Sequence, residues 1–241
     1  MRDYIAKPSL KNPGYIGLII LAAIMLFGVI NWAVAGKAHA EGPVASFYIG
    51  AHAGGSLANS ALSGVGVSFV DGLGAESKSP IFGARGGVDF QLPGSIVFLG
   101  AFATYTVQDV EFSAFNSAFT ASLKNSWSAG GRAGVKVGNA KPYVLLAYRN
   151  TDMEWTDLGQ GPAPTLKGYD LGAGLSYAID KNLDLGIEGV WTKYQSQDLC
   201  GGCGFNMDTD QLSVMAFLNF KIGGPEPAAA TKGPARQRLA P

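Results

Sequence analysis

Cysteine and histidine are nearly absent, two of each in 241 residues, and only 15% of the chain is charged. Two cysteines cannot staple a disulfide scaffold, and so few soft ligands leave no basis for a multi-ligand metal centre. Long apolar runs are missing too. Only Tyr15 to Val34 reaches the roughly 20 residues that a spanning helix needs, so the bulk of the chain is not a helical membrane bundle. What is plentiful is glycine, 34 residues, beside 11% aromatics, a balance too apolar for a disordered chain and suited to a glycine-rich β protein.

Residues 1–40 read as an export signal. Arg2, Lys7 and Lys11 precede the apolar run, and Ala38-His39-Ala40 supplies the small-x-small pattern at which a signal peptidase cuts, placing the mature start at Glu41. The alternative is an uncleaved anchor, because the run exceeds the 7–15 residues of an ordinary signal core. Without residues 1–40 the chain keeps 14 Lys and Arg against 17 Asp and Glu. That balance carries no basic footprint for nucleic acid.

From Phe47 onward the apolar period is two, the signature of strands with one apolar face. Eight such segments run Phe47 to Gly55, Pro80 to Gln91, Ile96 to Glu111, Ser122 to Gly138, Pro142 to Glu154, Leu166 to Ile179, Asn182 to Gln195, and Asp210 to Ile222. Connections after the second, fourth and sixth are tight and rich in turn formers; the others are longer, the longest from Ser56 to Ser79. An even strand number with one short-turn end and one long-loop end is the layout of a bacterial outer-membrane barrel.

One face of these segments has no charge: Phe82, Ala84, Gly86, Val88 and Phe90 on the second, Trp127, Ala129, Gly131, Ala133 and Val135 on the fourth. The other face carries Arg85, Asp89, Arg132, Lys136, Asp170, Asp184 and Glu188. Charge confined to one face predicts a polar lumen and a lipid-facing exterior. Outward aromatics fall into two rings: Phe47, Phe90, Tyr177 and Phe220 at the short-turn end, and Phe82, Tyr105, Trp127, Tyr148, Tyr169 and Trp191 at the long-loop end. They mark the two headgroup levels.

The segments Phe47-Tyr48-Ile49-Gly50-Ala51-His52-Ala53-Gly54-Gly55, Lys141-Pro142-Tyr143-Val144-Leu145-Leu146-Ala147-Tyr148 and Gly168-Tyr169-Asp170-Leu171-Gly172-Ala173-Gly174-Leu175-Ser176-Tyr177 resemble the small eight-stranded outer-membrane proteins. That family includes the opacity-type and porin-like surface antigens of Gram-negative bacteria. The resemblance runs from about Phe47 to Phe220 and implies an all-β, eight-stranded antiparallel up-and-down transmembrane β-barrel in the outer membrane. It implies a structural surface protein, with limited porin activity or adhesion through the long loops as further roles. Outer-membrane lipids are the expected partners, with an external loop ligand beside them. Such chains often stop at a terminal aromatic; here Phe220 is followed by Gly223 to Pro241, a Pro/Ala-rich tail expected to be disordered and periplasmic, making at most a weak contact there.

Residue chemistry adds little catalysis. Cys200 and Cys203, spaced Cys-Gly-Gly-Cys in the last external loop of an oxidising compartment, are expected to form a disulfide. His52, the one histidine beyond residue 40, invites a lipid-modifying Ser/His/acid reading, but its parity places it inside, no Gly-x-Ser-x-Gly elbow accompanies it, and an interior structural histidine is expected. No enzyme, cofactor or metal site is expected. The lumen charges carry the remaining question. Counted from the strand ends, Arg85, Arg132 and Glu188 share one height with His52, and Asp89, Lys136 and Asp184 share another, so Glu188 is expected to hold Arg85, Arg132 or both. Such a network is either a structural lock or the lining of a narrow ion path.

Overall fold

In the computed structural model residues 44–64, 75–92, 94–114, 119–156, 165–198 and 205–222 are described, and every regular element among them is a strand. The strands are β1 Val44–Gly64, β2 Ala75–Gln91, β3 Val97–Gln108, β4 Val110–Ala114, β5 Phe119–Val135, β6 Ala140–Thr156, β7 Thr165–Ala178, β8 Leu183–Tyr194, β9 Gln197–Asp198 and β10 Phe205–Ile222. They make eight staves. β4 continues the line of β3 past Asp109 and pairs with β5, while the two-residue β9 pairs with β10 beyond the end of β8. Each stave pairs antiparallel with its sequence neighbour, and β1 pairs with β10 to close the ring. Closure leaves no unpaired edge across the apolar wall, as a sheet in hydrocarbon requires.

The register fixes the barrel's dimensions. Phe47 faces Val88, and the line continues through Ala101, Gly131, Leu146, Leu171, Trp191 and Leu212 back to Leu57. The circuit returns to β1 ten residues from where it left. A stagger of that size over eight staves tilts the strands by roughly 40° and sets a backbone radius of about 8 Å, an interior wide enough for side chains and little else.

Alternation then sorts the residues. Ile49, Leu146, Ile187 and Val214 point outward and are more than 60% exposed, while His52, Arg85, Asp170 and Glu188 point inward and are buried. The molecule is apolar outside and charged inside. Outward aromatics stand at both ends of this wall: Phe47, Phe90, Tyr177 and Phe220 toward the short turns, Phe82, Tyr105, Trp127 and Tyr169 toward the other end, all about half exposed. Trp127, Tyr148 and Tyr169 form a continuous belt, with ring centroids 5.7 and 6.1 Å apart. Gly94 and Gly138, in two of the short turns, take φ values of 62° and 61°, which a side chain would resist.

Three sequence expectations change. β1 runs to Gly64 and β2 starts at Ala75, so most of the stretch from Ser56 to Ser79 is paired strand; its small residues hid the alternation. The third segment breaks at Asp109. Val135, on the lipid-facing parity, is fully buried. Residues 1–40, the tail beyond Ile222, Cys200 and Cys203 lie outside the described residues.

Candidate functional site

The lumen is built in layers, because inward residues alternate along eight tilted staves and a radius near 8 Å forces them to meet. Nearest the short turns, Asp184 on β8 receives two lysines, Lys221 at 2.7 Å and Lys141 at 3.3 Å. Lys136, just past β5 and beyond the aromatic ring, is half-buried beside them. Burial first, then the charges of Lys141 and Lys221, push its pKa below the ordinary lysine value.

In the next layer Arg132 grips Asp89 with a two-pronged pair, Nε to Oδ1 and Nη2 to Oδ2, both 2.9 Å. Its guanidinium also lies 4.5 Å from the Tyr48 ring centroid and 5.1 Å from that of Tyr143. Gly100 stands directly between Asp89 and Arg132 in the register, and a Cβ there would run into the Asp89 carboxylate.

The middle layer holds Arg85 and Glu188. Arg85 Nη2 donates to Glu188 Oε2 at 3.0 Å, and the Tyr143 hydroxyl donates to the same oxygen at 2.5 Å. The guanidinium rests 4.2 Å from the centroid of Phe217. Large rings are matched with glycines: Tyr48 fills the space a Cβ on Gly87 would need, Tyr143 that of Gly174, and Phe217 that of Gly186. With Phe98 and Phe102, these side chains form the buried core of the barrel.

Above them, Arg149 Nε donates to both oxygens of Asp170, which also accepts from Thr192 Oγ1 at 2.7 Å, while Arg149 Nη1 reaches Ser126 Oγ at 3.1 Å. His52 Nε2 lies 3.0 Å from Thr106 Oγ1. A neutral lattice follows: Gln211 bonds Gln108, Tyr194 donates to Gln211, and Thr151 meets the Tyr194 hydroxyl. Leu123, Met153, Leu166 and Val110 are buried at this end. Outside, Lys124 sits between Asp109 at 2.9 Å and Glu154 at 3.7 Å, and its hydrogen bond to Asp109 raises its pKa.

The structure brings Arg85 to Glu188, but it gives Arg132 to Asp89 instead of Glu188. Counting from strand ends put Arg132 and Glu188 at one height; the ten-residue stagger separates them and sets Asp89, Gly100 and Arg132 on one line. Asp184 and Lys136 share the mouth, as their heights from the strand ends lead one to expect, while Asp89, counted at the same height, belongs to the layer above. Sequence reasoning missed Arg149, Lys141, Lys221 and Tyr143. Each has inward parity, the one signal that would have found it. Among the described residues no group of three or more His, Cys, Asp or Glu is placed to hold a metal.

No curated protein sequence matches the chain. Solved structures resemble it as follows: Neisserial surface protein A at 19% identity, covering 73% of this chain and 97% of that one, TM-score 0.42; OprG of Pseudomonas aeruginosa at 10%, covering 78% and 99%, TM-score 0.41. Ail of Yersinia pestis, solved with the heparin analogue sucrose octasulfate, is 12% identical, covers 76% and 100%, and has a TM-score of 0.41. The model of the outer membrane protein beta-barrel domain matches residues 19–220. This chain therefore belongs to the outer-membrane β-barrel family, with its apolar wall in the lipid of the bacterial outer membrane.

Proposed function

We propose that the protein is a sealed structural barrel of the outer membrane, a scaffold that holds a rigid rim of strand ends outside the cell and passes no solute. The observation that carries this reading is the middle of the lumen. Arg85, Glu188, Tyr143, Phe102 and Phe217 are all buried there, on staves from around the ring. Arginine stacked on aromatic faces is held by charge and by packing at once. A pore needs its charged groups hydrated and apart, whereas these are paired and packed.

The rim reading is supported by the staves themselves. β1 and β10 stay paired from Leu57 with Leu212 out to Gly64 with Phe205, beyond the outer aromatic ring. Lys193 and Asp210 join neighbouring staves there at 3.0 Å. Such a platform fits contact with external molecules through the loops it supports.

Solute efflux from vesicles containing the purified protein tests the reading. Retention of both glucose and potassium at the rate of protein-free vesicles is expected; protein-dependent release of either overturns it.

A further inference from the structure

We propose that the periplasmic mouth of the barrel is an oxyanion site, in which Lys136, Lys141, Lys221 and the Ser176 hydroxyl take up a phosphate-sized group. It lies below the packed layers and does not depend on the lumen being sealed.

Charge is matched differently at the mouth and in the deeper lumen. Deeper in the lumen each arginine has its own carboxylate: Arg85 with Glu188, Arg132 with Asp89, Arg149 with Asp170. At the mouth, among the described residues, Lys136, Lys141 and Lys221 gather around Asp184 as the one inward-facing acid. Asp184 already holds Lys141 and Lys221, and the Lys136 ammonium has neither ion pair nor hydrogen bond among the described residues. Among the described residues the inward charges at the mouth therefore carry an excess of two positive, and clustered, partly buried charge calls for a counter-ion or the loss of a proton.

A second observation gives the site a neutral donor. Ser176 is directly opposite Lys141 in the β6–β7 register, and its Oγ is buried with no hydrogen-bond partner among the described residues. Lys141 and Lys221 side chains keep 15% and 11% of their surface open, so the ring is reachable from the periplasm. Lysine donates as a flexible point charge, and several converging lysines with a hydroxyl match the several acceptor oxygens of a phosphate. The phosphate could be free or belong to a phospholipid of the inner leaflet.

The test uses the full-length purified protein in zwitterionic bicelles, with lysine Nζ resonances followed during titration with inorganic phosphate, and again during titration with phosphatidylglycerol in bicelles free of inorganic phosphate. Saturable shifts at Lys136 and Lys141 are expected. They should weaken at least tenfold in Lys136→Gln and in Lys141→Gln, and persist in Lys193→Gln at the opposite end. Asp184→Asn, which removes the competing carboxylate, should tighten binding severalfold. Shifts with phosphate alone assign a free oxyanion; shifts with the anionic lipid assign a headgroup; both support the site. Absence of saturable shifts in both media overturns it, as do shifts unchanged by Lys136→Gln in protein whose gel migration shows a folded barrel.

Discussion

Replacing Glu188 with glutamine removes one charge and almost no volume from the middle of the barrel. Glu188 Oε2 takes hydrogen bonds from both Arg85 and Tyr143, and the Arg85 side chain is 1% exposed. Two of its nitrogens, Nε and Nη1, have no hydrogen-bond partner among the described residues, so the carboxylate and the Phe217 face are what stabilise the cation. Glutamine keeps an acceptor for Tyr143 or Arg85 but offers no charge. Two unit charges about 4 Å apart attract by about 4 kcal/mol at an effective dielectric near 20. Breaking one side of a buried pair costs about 3–5 kcal/mol, toward the lower end where water can enter. The unfolding equilibrium constant should therefore rise by roughly two to three orders of magnitude. Urea unfolding in phospholipid vesicles, followed by tryptophan fluorescence, measures this, and heat-dependent gel migration reports whether the barrel is closed. A companion variant separates charge from packing. In a Tyr143→Phe background, changing Arg85 and Glu188 together to methionine should recover most of the loss, because no charge is then stranded. A Glu188→Gln protein within about 0.5 kcal/mol of the parent would refute the reasoning, as would a double-methionine variant no better than Glu188→Gln.

Other perturbations follow from the same geometry. Arg149→Met should cost about 3–5 kcal/mol in the same unfolding assay, since Asp170 would stay buried with Thr192 as its remaining side-chain donor. Gly186→Ala should destabilise by about 1–3 kcal/mol because the new methyl would run into the Phe217 ring and the Leu175 carbonyl oxygen, whereas Gly189→Ala, with nothing within 4 Å, should be neutral or stabilising by up to about 1 kcal/mol. Ile187→Arg on the lipid wall should lower folding stability in vesicles by about 2–4 kcal/mol, against little change for Thr165→Arg at the exposed outer end of β7; equal effects would mean that the apolar wall does not face lipid.

The architecture was legible because a membrane barrel writes a simple code: period two, one face without charge, aromatics at both ends of that face. Phe82 to Phe90 and Tyr169 to Tyr177 located the wall before any register was known. Strand length was less legible. Ser56, Ala58 and Ser60 all point inward, yet small residues on both faces of that stretch erase the contrast that marks a strand. Pairing inside the lumen was the least legible part. Parity tells which residues enter the barrel, but which ones meet depends on the stagger, and that is set by all eight registers together. Arg85 and Glu188 were matched from heights along their strands; Arg132 was mismatched by the same count, since Gly100 ties it to Asp89. Tyr143 carried its inward parity as the one sign of a lumen role, and parity alone does not say that its hydroxyl becomes a second donor to Glu188.

The central claim is that the lumen is filled and locked, and single-channel current across a planar bilayer tests it most directly. The purified parent protein in 1 M KCl should give a baseline that cannot be told from the bare bilayer, while Glu188→Gln, which frees the middle layer, should produce brief openings. Steady ohmic conductance from the parent protein would contradict the account, because ions would then be crossing the layer that Arg85, Glu188, Tyr143 and Phe217 are held to close.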